Sequence, residues 1–471
     1  MCLNVAGCRR AVWRALALAA ALGLLGGCST YANQSTRIRA HADEGDLDGA
    51  LAEVRKQAGD DPDVLALLQE GLLAYYVGDY PTSVTAFDSA AVKIDDQFTK
   101  SISTEALAFL SNDQSRPYDG YPGEQALLHI YAALAYLADG NRRAALVEIR
   151  AASTQLERLE QVRENRETYS RDPFAEWIAA MLYANDEDAN ACLVSSRRAL
   201  SAYLEAEEAW GQPLPESFLD DYARWADRFG FPEERIELEQ KYGERGTGAQ
   251  RLARDEGEVV LLFESGWVAH LEEVSMSFPI LENDNYSDNE VWASEVAVRG
   301  HRGVYVVPHG RKVAYWLKVA WPVLARSQTS LVDARMIADD DSTYTEQAHD
   351  VSAVFGVTFE EGSGTRAVRT IMRGLAKYAA VEAIDDDEDE TRQFLSFVAN
   401  LFAAGTEVAD TRSWTMLPDR IHLARLRLPA GTHTVRVEVL DARGRVGETL
   451  EFEDVRVVPR SRTLIHHRSF R

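Results

Sequence analysis

Residues 67–90 read LLQEGLLAYYVGDYPTSVTAFDSA, and this stretch decides the fold of the N-terminal half. Apolar residues recur at helical spacing on both sides of Gly78-Asp79-Tyr80, so the pattern predicts two helices joined by a tight turn. Gly71, Ser83 and Ala90 are small, which lets the helices approach closely. Phe87 is large enough to fill the space between them. One such hairpin cannot bury its apolar face alone, so neighbours that repeat it are expected.

Those neighbours are present. In YAALAYLADGNRRAALVEIRAA, residues 131–152, aligning Gly140 with Gly78 puts Ala133, Tyr136, Ala145, Ile149 and Ala152 at matching offsets. In WIAAMLYANDEDANACLVSSRRAL, residues 177–200, Ala180, Tyr183, Cys192 and Ala199 match, while Ser196 stands where a large apolar residue belongs. The offsets are those of a tetratricopeptide repeat. The turn glycines Gly78 and Gly140 are separated by more than the usual repeat of about 34, so about 28 residues are inserted between Lys93 and Leu127. Asp46–Ala58 reads as part of a degenerate leading repeat, and Pro215–Tyr242 as a capping hairpin with Gly230 in its turn. Stacked hairpins of this kind offer a concave groove that can hold a peptide or helix.

Ahead of the repeats, RRAVWRALALAAALGLLGGC spans residues 9–28. A basic segment precedes an apolar run from Ala15 to Leu25, which suits a signal peptide and is too short to span a bilayer. Leu25-Gly26-Gly27-Cys28 resembles the bacterial lipobox. Residues 1–27 are therefore expected to be removed, Cys28 to carry lipid, and residues 28–36 to act as a tether. Ser29 after the cysteine, where Asp would favour the inner membrane, leans toward the outer membrane. Two or three acyl chains give stable anchoring.

The chain has 471 residues, with 75 acidic and 50 basic side chains. Loss of Arg9, Arg10 and Arg14 with the signal peptide leaves 47 basic residues and a net charge of −28. That balance argues against nucleic acid and against electrostatic binding to anionic lipid. Cys2 and Cys8 leave with the signal peptide and Cys28 takes lipid, so only Cys192 remains, as a small buried apolar residue within a helix.

Beyond a linker at 243–257, the periodicity changes to that of strands. EVVLLFES (residues 258–265), VWASEVAV and RKVAYWLKVAW are strand candidates. Val435, Val437 and Val439 alternate with polar residues, Asp441-Ala442-Arg443-Gly444 makes a hairpin turn, and Phe452–Val458 and Thr463–His467 close the domain. Helices are expected at Arg366–Ile384, after Thr365, and at Thr391–Ala404, where Phe394, Val398, Leu401 and Phe402 share a face. The expected fold is thus a tetratricopeptide-like helical repeat over 37–242, followed by an α+β domain with antiparallel strands over 258–471.

The inserted segment carries Asn112, Asp113, Pro117, Tyr118 and Gly120, with Glu124 soon after. Loops on rigid scaffolds often carry function, so these six residues form a candidate interaction loop; the plainer reading is a plug between hairpins. Here the chain resembles a family of bacterial outer-membrane lipoproteins without assigned activity. The resembling stretches are NDQSRPYDGYPGE at 112–124, YAALAYLADGNRRAALVEIR at 131–150, DPFAEWIAAMLY at 172–183, VVLLFESGW at 259–267 and DTRSWTMLPDRIHLARLRLPAGTHTVRV at 410–437. The resemblance implies a tetratricopeptide-like half, a mixed half and an envelope location. It also implies the company of other outer-membrane lipoproteins, some linked to peptidoglycan synthesis. The chain departs from the family where a proline is expected after Gly266; Trp267 and Val268 stand there.

Catalytic patterns are weak. Gly362-Ser363-Gly364-Thr365 lacks the Gly-Lys-Ser/Thr of a phosphate loop, and Ser265-Gly266 lacks the flanking glycines of a nucleophile elbow. Adjacent His466 and His467 in a strand point to opposite faces, and His41, His129, His301 and His309 show no paired metal spacing. Asp386–Glu390 suits the start of a helix better than a calcium loop. No enzyme activity, metal or cofactor is expected. The expected function is a periplasm-facing, membrane-anchored scaffold that binds envelope proteins. The alternative is a glycan-binding module or cryptic hydrolase in the C-terminal half, for which Trp267, Trp292, Trp316 and Trp414 would have to share an open cleft.

Overall fold

The computed structural model describes residues 31–108, 117–162, 169–243, 253–281, 295–297, 313–360 and 409–471. Its helices run in antiparallel pairs: α1 (Tyr31–Asp43) with α2 (Leu47–Ala58), α3 (Val64–Val77) with α4 (Tyr80–Ala108), and α5 (Pro122–Ala138) with α6 (Arg142–Val162). The next pairs are α7 (Pro173–Asn185) with α8 (Ala189–Trp210), and α9 (Glu216–Phe229) with α10 (Pro232–Tyr242). Helix starts are set by short acids. Asp46, Asp63, Asp172 and Asp188 each accept the main-chain N–H three residues on.

The hairpin signature works as its residue sizes require. Ser83 Oγ donates to the Gly71 carbonyl at 2.7 Å. A Cβ on Gly71 would lie 2.7 Å from the Phe87 ring, and Phe87 and Ala90 are fully buried. Gly78, with φ of +83°, ends α3 in a conformation that costs other residues energy. Ala133, Ala145, Ile149, Ala152, Ala180, Cys192 and Ala199 are buried in the equivalent places. Ser196, the misfit, is also buried and donates to the Cys192 carbonyl at 2.8 Å. The helical half is tetratricopeptide-like. Part of the insertion lengthens α4, which continues to Ala108.

The strands form two four-stranded sheets and a ribbon. The first sheet has the order β11 (Arg462–Ser469), β1 (Glu256–Ser265), β8 (Arg420–Pro429), β7 (Glu346–Asp350). The second has β10 (Val446–Val457), β9 (Gly431–Asp441), β5 (Leu331–Ala338), β6 (Asp341–Tyr344). In the ribbon, β2 (His270–Leu281) pairs with β4 (Val313–Ala325) and the short β3 (Glu295–Ala297). A helical stretch over 351–360 follows β7. The turn at Asp441–Gly444 is as expected, with Gly444 at φ of +74°. The expected all-antiparallel pairing needs one correction: β1 and β11 run parallel, from Glu258 opposite Arg462 to Ser265 opposite Ser469. A parallel pair needs a long crossover, which no local turn signal in the sequence announces. The helices expected at 366–384 and 391–404 lie outside the described residues, as do Trp292 and Cys28.

The two sheets pack face to face. Val259, Leu261 and Phe263 of β1 meet Val435, Val437 and Val439 of β9 and Ala334 and Met336 of β5. The other face of the first sheet packs on the helices. Val260 and Leu262 share one continuous core with Leu72, Tyr131, Ile178 and Phe218. The molecule is therefore three layers: helical hairpins, a sheet buried on both faces, and an outer sheet. That explains why EVVLLFES is an unbroken apolar run rather than an alternating one.

Candidate functional site

The concave face of the hairpins is the natural place for a partner, and the chain occupies it itself. Residues 409–419, which enter β8, lie in it as an irregular segment. Trp414 and Met416 are fully buried and Leu417 nearly so. The Trp414 ring meets Phe87 at 5.9 Å and Tyr131 at 6.1 Å, both edge to face. Its main-chain N–H donates to Glu124 Oε1 at 2.6 Å. Tyr31 donates to the Ser413 carbonyl, and Arg39 donates through Nε and Nη2 to the Thr415 carbonyl at 3.2 and 2.9 Å. The helices thus hold this segment largely by its backbone, as a groove would hold a peptide. The expectation of an open groove is corrected: the inner helices α3, α5 and α7 are mostly apolar and buried on nearly every side, so both faces of each are covered.

Glu124 is central to this contact. Besides Trp414, it accepts from Tyr118 and from the Tyr121 main-chain N–H at 2.9 Å. Burial pushes its carboxyl up to about 7, against the pull of these three donors. Of the candidate loop residues, Tyr118 and Glu124 are buried and face inward, Pro117 is exposed, and Gly120 turns the chain at φ of +84°. Asn112 and Asp113 lie outside the described residues.

Four further buried carboxylates join the halves. Glu264 of β1 accepts from Tyr131 and pairs with His466 Nε2 at 2.9 Å. Burial opposes its ionisation, yet the His466 hydrogen bond brings it below the usual carboxylate range. Asp172, the cap of α7, accepts from Ala175 N at 2.7 Å and from Tyr169, and pairs with His349 Nε2 of β7 at 2.7 Å. Burial opposes both charges, but the pairing dominates: Asp172 is lowered and His349 raised. Asp221 of α9 takes Trp177 Nε1 at 2.9 Å, Arg224 at 2.5 Å, Arg425 at 2.6 Å and Arg462. Neighbouring Glu258 pairs with Arg224 at 2.5 Å and Arg462 at 2.9 Å. The arginines overcome burial and hold both acids well below the usual range. None of these partnerships was visible in the sequence. The one available signal was an acid inside an apolar run, as with Glu264 and Glu124.

Groups with catalytic chemistry are enclosed. Ser265 Oγ lies 3.3 Å from His422 Nε2, but their residues are only 1% and 6% exposed. Burial, then Arg420, holds His422 neutral, with its pKa lowered to about 3. Cys192 is buried, which pushes its thiol up to about 12. His466 and His467 face opposite ways, the first toward Glu264 and the second stacked on Phe263 at 6.2 Å. Among the described residues no cluster of His, Cys, Asp or Glu is arranged to hold a metal, and no helix is long and apolar enough to cross a membrane. Trp267 is 8% exposed, between Arg39 at 4.7 Å and Arg468 at 5.4 Å from its ring. With Trp414 also buried, these two tryptophans do not form the open aromatic cleft that glycan binding called for.

No protein-family model matches the chain, and no curated protein does. Solved structures with likeness to it include MamA, at 14% identity over 44% of this chain and 91% of that one, with a TM-score of 0.29. BtubC from P. vanneervenii is 17% identical over 50% of this chain and 87% of its own, with a TM-score of 0.33. A kinesin-light-chain-like protein of Podosopora anserina, with nearly identical TPR-like repeats, is 13% identical over 48% and 99%, with a TM-score of 0.31. At these scores the likenesses carry no argument, and the repeat assignment rests on the chain's own hairpins.

Proposed function

We propose that this chain is an outer-membrane lipoprotein, anchored through lipid on Cys28 and facing the periplasm, that works as a protein-interaction scaffold in envelope assembly. The observation that carries the scaffold reading is the stack of tetratricopeptide-like hairpins. With the inner helices covered by the chain's own sheet, the outer helices are the surface left for partners. The lipid anchor rests on the lipobox, and the envelope role on the family resemblance. The reading includes no enzymatic step.

In-cell crosslinking of the full-length, membrane-bound protein, read by mass spectrometry, tests it. A small set of envelope proteins linked to the helical half is the expected result. Crosslinks only to lipid or glycan would overturn the scaffold reading in favour of a glycan-binding module. Retention on purified peptidoglycan should be measured with the mature chain, because residues 258–471 share their core with the helices. Cys28→Ala should leave an uncleaved, unlipidated precursor; normal processing of that variant would refute the anchor.

A further inference from the structure

The ribbon of β2 and β4 has two unlike faces. In its register, Val274, Met276, Phe278 and Ile280 take alternate positions of β2, and opposite them on β4 stand Trp321, Val319, Leu317 and Tyr315. Glu272 and Val323 add one more pair at the base, so this face is apolar at every register position but one. From Val323 to Tyr315 the band is about 27 Å long, at about 3.4 Å per residue. The intervening positions are polar or small: Glu273, Ser275 and Ser277 stand opposite Pro322, Ala320 and Lys318.

At the base, the polar face is the one that turns toward the protein. Leu271 and Ala320 of that face are buried, and Leu271 and Leu324 belong to the core shared with the helices. Val274, Trp321 and Val323 of the apolar face are only half-buried. An antiparallel sheet with one solvated face ordinarily does the reverse. A narrow ribbon is marginal unless its apolar face is covered.

The start of the chain's first helix is tied to the same place. Arg39 of α1 lies over the Trp267 ring at 4.7 Å, and Trp267 Nε1 donates to Asp43 at 3.0 Å, three residues before β2 begins. At the other end of α1, Tyr31 donates to the Ser413 carbonyl. Four residues before Ser413, the Ala409 N–H donates to Glu273 Oε2 of β2 at 2.8 Å. Cys28 stands three residues before Tyr31, so it lies at most about 11 Å from it. Acyl chains on Cys28 would therefore bring a bilayer to the side of the molecule from which the ribbon leaves.

We infer that the apolar face of the β2–β4 ribbon rests in the interfacial layer of the membrane that holds the lipid on Cys28. Trp321 and Tyr315 stand near the two ends of the band, and tryptophan and tyrosine settle at headgroup depth because one end of each ring system is polar. The face carries a single charge, Glu272, so the contact is apolar and needs no anionic lipid, which suits a mature chain of net charge −28. Lying flat keeps the open strand edges where water reaches them; a ribbon that crossed the hydrocarbon would have to close into a barrel. Lipid alone leaves the body free to turn about its tether, and the ribbon would fix its orientation. The inference rests on the lipid-anchor reading and adds a second contact with the same membrane.

The test uses the acylated mature protein in vesicles of phosphatidylcholine and phosphatidylethanolamine. A fluorophore is placed on a single added cysteine at Val274, at Val323 or, as a control, at Val446, which is 51% exposed on the outer sheet. Cys192 is buried and Cys28 would carry lipid, so neither competes for the label. Two positions are used so that one variant that fails to fold does not decide the result; a thermal midpoint matching the parent's qualifies each. Nitroxide-bearing lipid should quench the label at Val274 and Val323 at least about threefold more strongly than at Val446, and aqueous iodide should quench in the reverse order. Labels open to iodide, or shielded from both quenchers by other parts of the chain or by another protein, would overturn this inference and leave the anchor standing. A mature chain without acyl mass in mass spectrometry would overturn the anchor and this inference together.

Discussion

The inner and outer helices of the hairpins share a fold and differ in their second face. On α5, every residue from Pro122 to Ala135 except His129 is buried. On α6, the partner in the same hairpin, only one stripe is buried, through Ala145, Ile149, Ala152, Leu156 and Leu159, and the rest meets solvent. A helix with two buried faces is a core element, whereas one with a single stripe borders the surface. The difference teaches where this molecule can still meet a partner. The concave side is closed by residues 409–419 and by β1, and the outer side stays open.

The largest expected effect is at the plug. Trp414→Ala removes a fully buried ring that spans Phe87 and Tyr131, and should lower stability by about 3–5 kcal/mol. The denaturant midpoint of the mature chain checks this. A loss below about 1 kcal/mol would mean that the groove tolerates being empty.

Asp221→Ala should cost a similar amount, about 3–5 kcal/mol, because it strands Arg224, Arg425 and Arg462 in a buried site. The loss should shrink when Arg425→Met is added, since the uncompensated charge falls; strict additivity of the two changes would break the network account.

Glu124 gives a signed pH effect. Its folded-state pKa, about 7, lies above the ordinary value of 4.5. Between those values the folded state binds more protons than the unfolded one, so stability falls as pH rises from about 4.5 to 7, by an amount on the order of 3 kcal/mol for this group. Comparing thermal midpoints of the parent and Glu124→Gln across that window isolates the term. The variant should show a flatter profile, and an unchanged slope would exclude Glu124 as its source.

Gly71→Ala should cost about 1–3 kcal/mol, because the added methyl would press on the Phe87 ring. Smallest of all, Val147→Ala on the exposed outer face should change stability by less than about 0.5 kcal/mol. If Val147→Ala proved as costly as Gly71→Ala in thermal melts, the distinction between inner and outer faces would fail.

Much of this was written in residue size and spacing. Gly71, Ser83, Phe87 and Ala90 dictate a close-packed hairpin because small residues must stand where helices cross. The alternation at Val435, Val437 and Val439 dictates a strand with one buried face. Asp441–Gly444 dictates its turn. These are local rules, and the structure follows them. Even the closed groove left a trace, since VLALLQEGLLAYYV and PFAEWIAAMLYAN contain no polar face to offer to water.

Other features were decided by tertiary structure alone. Nothing near Trp414 in the chain announces Phe87 or Tyr131, which lie far earlier in the sequence. The parallel register of β1 and β11 joins the first and last strands of the C-terminal half. Tyr118 and Glu124 stand among turn residues, which suit an interaction loop or a plug between hairpins alike; they turn inward because the 409–419 segment presents an N–H that a buried carboxylate can accept. Periodicity records which face of an element must be covered. What covers it is settled by the packing of distant segments, where shape, burial and charge are balanced together.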